Sequence, residues 1–157
     1  MKGLRLEVLC SDHFAELYRQ QQDPESRWNA AFMPAEVTDL ESYTNRWTRF
    51  LADDTIVSRT IWLDDVLVGS VGKYEIEGKA ELTYWIDRAY HGRGIATQAC
   101  TLFLKEMTER PLHARAAMDN SGSVRVLEKL GFERTGTDKG FSHVRNAEVE
   151  EVVMVLL

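Results

Sequence analysis

The region from Thr55 to Asp87 constrains the fold most. It holds three strand-like segments, TIVSRTIWLD, VLVGSVGKYEI and AELTYWID, separated by the short turns Asp64-Asp65 and Glu77-Gly78-Lys79. Their close spacing and short turns argue for an antiparallel meander. A meander of this kind forms one side of a sheet. Everything after it must return to cover or extend that sheet.

YHGRGIATQA, Tyr90 to Ala99, follows at once, and it opens a helix predicted over about Gly94–Glu109. Ala96, Ala99, Cys100, Phe103 and Met107 fall at helical spacing along it. Gly92 and Gly94 lack side chains, so the backbone there is free to take positive φ and to approach a ligand closely. The helix start offers unpaired N–H groups and the positive end of its macrodipole, which together suit a phosphate. Arg93 would add a charge-assisted contact. Taken alone, the two glycines are equally consistent with a tight strand-to-helix turn. The spacing is neither G-x-G-x-x-G nor G-x-x-x-x-G-K-[ST], so a dinucleotide fold and a Walker loop are both excluded.

The remaining segments complete an α+β pattern. LRLEVL (Leu4 to Leu9) alternates as a strand does, and Ser11 is the expected N-cap of a helix over about Asp12–Gln22. DPESRWNAAFMPAE reads as irregular, with Pro24 and Pro34 as breakers. Thr38 and Glu41 form a capping-box pattern for a helix to about Ala52 that buries Leu40, Tyr43, Trp47 and Leu51. LHARAAMD is a short strand, and NSGSVRVLEKLGF a short helix stopped by Gly131. EVEEVVMVLL is a last strand, paired within Phe132 to Phe141. The expectation is a single domain over residues 1–157, α+β or mixed α/β, built around one sheet.

With 157 residues and 44% hydrophobic content, the chain can bury one sizeable core. A net charge of -6 argues against nonspecific nucleic-acid binding and is compatible with amine substrates. No apolar run is long enough to cross a bilayer, and no signal peptide is read at the start. Cys10 and Cys100 form no disulfide framework. The expected setting is the cytoplasm, with no membrane partner.

ELTYWIDRAYHGRGIATQA followed by NSGSVRVLEKLGF resembles the GNAT N-acetyltransferase superfamily, and within it the branch of ribosomal-protein N-terminal alanine acetyltransferases. The pyrophosphate loop of that family, Q/R-x-x-G-x-G/A, reads here His91-Gly92-Arg93-Gly94-Ile95-Ala96, with His91 departing at the first position. The second motif, N-x-x-S-x-x-x-L-E-K-L-G-F, runs from Asn120 to Phe132. The resemblance implies a central, mostly antiparallel, splayed sheet of six or seven strands flanked by about four helices, with acetyl-coenzyme A as cosubstrate and no metal. It implies that Gly92, Arg93, Gly94, Ile95, Ala96 and Thr97 hold the pyrophosphate. It also implies that the strand end at Trp85 and Ile86 pairs with the pantetheine arm, and that Asn120 contacts that arm.

The implied reaction is transfer of acetyl to a primary amine, a protein N-terminus or a small amine, by direct attack in a ternary complex. A base must take the proton of the ammonium form. Glu81 is the first candidate, on one strand face with Thr83 and Trp85, with a solvated strand-end carboxylate as the plain alternative. Glu75, Asp119 and His143 are reserves. Where many members carry a tyrosine acid, Leu127 stands here. Ser123, three residues after Asn120, matches the acid of the Rim-type branch, or is simply a first-turn serine bonded to backbone. Trp28 and Phe32, in the link between the first two helices, are expected at the acceptor site, as in this family. Met33, Glu25 and Glu36 are further candidates there. The oligomer would be a monomer or homodimer. A noncatalytic acyl-coenzyme A binding domain is the alternative to the enzyme.

Overall fold

The computed structural model describes residues 1–157. Seven strands form one sheet, β1 (Leu4–Val8), β2 (Val57–Leu63), β3 (Val66–Ile76), β4 (Lys79–Ile86), β5 (Leu112–Ala117), β6 (Glu133–Ser142) and β7 (Ala147–Leu156). Their order is β1-β2-β3-β4-β5-β7-β6. The expected meander is there: β1 through β4 are antiparallel neighbours. Its second hairpin turns on Glu77 and Gly78, both at positive φ, the geometry a two-residue hairpin turn demands. Ile61 pairs with Gly69 but Trp62 with Leu67, so Val68 is one extra residue bulged out of β3.

The far half, β5-β7-β6, is also antiparallel. The halves meet only where β4 and β5 run parallel, at the single pair Glu81 and His113. Beyond that pair the strands separate, so the β5-facing edge of Thr83 to Ile86 has no strand partner. This opening in mid-sheet is the feature that positions the site.

Five α-helices flank the sheet: α1 (Phe14–Gln20), α2 (Pro24–Ala30), α3 (Leu40–Leu51), α4 (Ile95–Glu106) and α5 (Ser121–Lys129). The larger core packs Ile95, Ala99, Cys100 and Phe103 of α4 and Val124 and Leu127 of α5 against Leu82, Ile86, Ala114 and Met154. A smaller cluster joins Phe14, Leu17 and Tyr43 to Leu9 and Leu67. Strand alternation therefore sends Ala80, Leu82, Tyr84 and Ile86 toward α4 and α5, and Glu81, Thr83 and Trp85 toward the opposite face.

Several local expectations are corrected. The first helical segment opens as a 3-10 turn, Ser11–His13, behind Cys10, so Ser11 is inside the turn rather than its cap. The stretch after it is not irregular: Asp23 caps α2 by accepting from the Ser26 N–H, and Pro24 is its first residue. Proline has no N–H to lose there and its φ is already helical, so it starts this helix instead of breaking one. Asp39, not Thr38, caps α3, accepting from the Ser42 N–H at 2.8 Å. Leu40 and Leu51 are largely exposed at the two ends of α3. α4 stops at Glu106, where Met107 turns extended.

The C-terminal carbonyls of α2 lack helical partners, as at any helix end, and three of them are met by distant side chains. Arg145 Nε donates to Trp28 O at 2.9 Å, Asn120 Nδ2 to Asn29 O at 3.3 Å, and Ser142 Oγ to Ala31 O at 2.6 Å. Arg145 also forms a two-pronged pair with Asp119, at 2.7 and 2.9 Å. α2 is thus tied to both the β6–β7 turn and the start of α5. Arg145→Ala removes the Asp119 pair and one carbonyl partner, and is expected to cost about 1–3 kcal/mol. Its bond to Arg145 holds the Asp119 carboxyl below its ordinary value. That contribution is present above the unfolded value of 3.8 and is lost as pH falls through the folded one. Chemical denaturation of both proteins at neutral and acid pH should show the gap narrowing toward acid.

Candidate active site

α4 begins at Gly94, φ 75°, with no side chain capping it and no acidic residue in its first turn. α2, α3 and α5 are each capped by a side chain, Asp23, Asp39 and Asn120. The first intrahelical bond of α4 runs from the Gln98 N–H to Gly94 O, leaving the amides of Ile95, Ala96 and Thr97 without helical partners. Gly92, φ 77°, precedes it, and a Cβ at Gly92 or Gly94 would meet nothing within 4 Å. The glycines are therefore not required by packing against the protein. They serve the left-handed backbone and keep the space beside the amides open. Arg93 is exposed, lies over the Tyr90 ring at 5.0 Å and is in no ion pair. An anion here would meet unpaired amides and an unspent guanidinium, so these residues fit a diphosphate.

His91 explains its own departure from the motif. Its Nε2 lies 2.8 Å from Ile86 O, and since a carbonyl only accepts, the ring donates. The loop is thereby pinned to the end of β4, and the Ile86 carbonyl is committed to His91.

On one face of the opening, Glu81 is 2% exposed. Its Oε1 is 3.4 Å from Arg115 Nε, and the same guanidinium reaches Asp138 and Glu151 at 3.0 Å each. One cation shared by three carboxylates cannot neutralise them all. Burial therefore prevails over Arg115, and the Glu81 carboxyl is held above its ordinary value. Nearby, Trp85 Nε1 and His113 Nδ1 are buried with no hydrogen-bond partner. Such orphans are uncommon in native structures. Among the reserve bases, Glu75 pairs with Lys73 at 2.9 Å, Asp119 is engaged by Arg145, and His143 is exposed against Phe141.

On the other face, Asn120 caps α5, accepting from the Ser123 N–H at 3.3 Å. The Ser123 hydroxyl does not turn back to the helix; its Oγ is 2.9 Å from Tyr84 Oη. Leu127 is buried in the core. Trp28 and Phe32 lie at the end of α2, exposed by 51% and 37%. Trp28 lies 5.1 Å beneath the Arg145 guanidinium, and Phe32 sits beside Gly140. Glu25 is paired with Arg88, and Glu36 with Arg46 and Arg49. Sequence reasoning missed Arg115, His113 and Tyr84. Alternation along LHARAAMD puts His113 and Arg115 on one face, but nothing in it shows that β5 lies beside Glu81.

The molecule is thus a split, mostly antiparallel sheet with an uncapped helix start after β4 and polar groups on both faces of the split. The family model described as Acetyltransferase (GNAT) domain matches residues 4–133, and the chain belongs to that family. YdaF of Bacillus subtilis (strain 168), named a candidate ribosomal N-acetyltransferase, is 27% identical over 97% of this chain and 88% of its own length. The microcin C7 self-immunity acetyltransferase MccE, solved in complex with acetyl-CoA and AMP, superposes with a TM-score of 0.83 at 17% identity, covering 100% of this chain and 93% of its own. The ribosomal-protein-S5-alanine acetyltransferase of Vibrio fischeri gives 0.81 at 16% identity, covering 100% and 94%. At those identities the structural likeness is one of fold.

Proposed function

We propose that this acetyltransferase moves acetyl from acetyl-coenzyme A to a primary amine, with Glu81 as base, Ser123 as hydrogen-bond donor to the leaving sulfur, and Gly92 to Thr97 holding the diphosphate. The observation that carries this reading is the placement of Glu81 and Ser123 on opposite faces of the one gap in the sheet. Bound acetyl-coenzyme A supplies an activated acyl carbonyl and a good leaving group. The open edge from Thr83 to Trp85 is free to pair with an amide-bearing arm as an added strand would. Asn120 caps α5, whose Ser123 meets Tyr84 of that edge. Glu81, kept basic by burial and by the charge of Glu151, takes the proton of the incoming ammonium group directly or through water.

The acceptor is a protein N-terminus or small monoamine rather than a polycation. A polyamine site needs several unspent carboxylates, and every one of these around α2 is held in an ion pair, Asp23 and Glu25 sharing Arg88, Asp87 sharing Arg19 with Glu16, and Asp119 on Arg145. The exposed Trp28 and Phe32 offer apolar walls for the residue bearing the amine.

Thiol release measured over a panel of peptides with free N-termini, monoamines and polyamines tests this. Turnover is expected with peptides or monoamines and at least roughly tenfold less kcat/KM with polyamines, a difference of about 1.4 kcal/mol. Coenzyme A binding without turnover on any amine would favour a noncatalytic binding domain, the reading that the buried Leu127 in place of a tyrosine acid supports.

A further inference from the structure

We propose that Tyr84 is a positioning residue for acyl transfer: its hydroxyl donates to Ser123 Oγ and so turns the Ser123 proton toward the opening between β4 and β5. This rests on the reading of Ser123 given above. Alternation along β4 puts Tyr84 on the face opposite Glu81, toward α4 and α5, where its ring packs against the larger core. Ser123 is the third residue of α5, with its N–H fixed by Asn120. The two hydroxyls, 39 residues apart in the chain, meet at 2.9 Å.

Their chemistry sets the direction of the bond. A phenol is a better donor than an aliphatic alcohol, and Ser123 Oγ is the one hydrogen-bond partner that Tyr84 Oη has. Burial holds the phenol proton in place, with its pKa pushed up to about 12 against the opposing effect of the Ser123 bond. Tyr84 therefore donates, and a lone pair of Ser123 Oγ is occupied. The remaining proton of Ser123 has no protein acceptor, because the Tyr84 phenol is the one hydrogen-bond partner of Ser123 Oγ. A hydroxyl that accepts one bond also becomes a stronger donor in the next. No net proton leaves Tyr84. Glu81 hands the proton of the ammonium form on to solvent; as the nitrogen–carbon bond then forms and the carbon–sulfur bond breaks, the second amine proton goes to the freed Glu81, and the sulfur departs as a thiolate accepting a hydrogen bond from Ser123. Leu127 leaves this helix turn without a phenol of its own, and Tyr84 brings one to the same turn from the sheet.

The test uses the full chain as Tyr84→Phe, Ser123→Ala and the double variant. Phenylalanine keeps the ring in the core, so the fold should survive. Two readouts are taken. In protein labelled at the tyrosine ζ-carbon, Ser123→Ala should displace the Tyr84 resonance, and coenzyme A should move it in the unaltered chain; an unmoved resonance in both comparisons overturns the proposal whether or not the enzyme turns over. In turnover, Tyr84→Phe should lower kcat about tenfold with coenzyme A affinity unchanged, and should cost nothing further in the Ser123→Ala background. Equal losses in both backgrounds, or a full rate for Tyr84→Phe beside an impaired Ser123→Ala, would overturn the role of Tyr84 alone. A full rate for Ser123→Ala would instead remove the donor role of Ser123, and that of Tyr84 with it.

Discussion

Gly94→Val is expected to lower coenzyme A affinity by roughly 100-fold, about 2.7 kcal/mol. Gly94 sits immediately before the unpaired amides of Ile95, Ala96 and Thr97, and a side chain added there enters open space rather than protein. The branched methyls would fill the volume a diphosphate needs to reach those amides. The change also carries a cost in the free protein. Gly94 has φ 75°, and a β-branched residue in the left-handed region is strained by roughly 1–3 kcal/mol. Gly78 separates the two effects. It too has positive φ, 77°, and open space around its Cβ position, but it sits in the β3–β4 turn. Gly78→Val should lose similar stability while binding coenzyme A as the unaltered chain does. Calorimetric titration of both variants, with melting curves, distinguishes a blocked anion site from a weakened fold.

Glu81→Gln is expected to lower kcat/KM by roughly 10²–10³ near neutral pH, the range a positioned base contributes. A carboxyl acts as a base only when ionised, and that of Glu81 is held above its ordinary value. Activity of the unaltered chain should therefore rise with pH through the ionisation of Glu81, and glutamine should abolish that limb. The loss should shrink at alkaline pH, where the amine is already deprotonated. An identical fractional loss at both ends would remove Glu81 from the base role. Stability should move the other way. A carboxyl raised above its unfolded value of 4.5 contributes stability that is full below that value and lost as pH rises through the folded one. The glutamine variant loses nothing over that interval, so its melting point should gain on the unaltered chain from acid toward neutral pH.

Most of the frame was legible because it is local. Close spacing and short turns marked β2 to β4, and the glycines at 92 and 94 marked the α4 start through the backbone they permit. The failures were local too, where two chemistries compete: Pro24 is as good a first helical residue as it is a breaker, and Thr38 stands next to the aspartate that does the capping. The environment of the site was less readable. Whether Glu81 is a solvated strand end or a buried base depends on Arg115, Asp138 and Glu151, which come from three other strands. The Tyr84–Ser123 bond and the Arg145 clamp on α2 likewise join residues far apart in the chain. Such pairs are set by how the two halves of the sheet meet at Glu81 and His113, and no window of sequence contains that.

The most direct test of the central claim is a nitrogen-15 amide NMR titration of the full chain with coenzyme A. If the open turn of α4 grips the diphosphate, the largest shifts fall on the main-chain amides from Gly92 to Thr97, saturating together. Binding that leaves those amides unmoved while shifting others, or no binding at all, would contradict it.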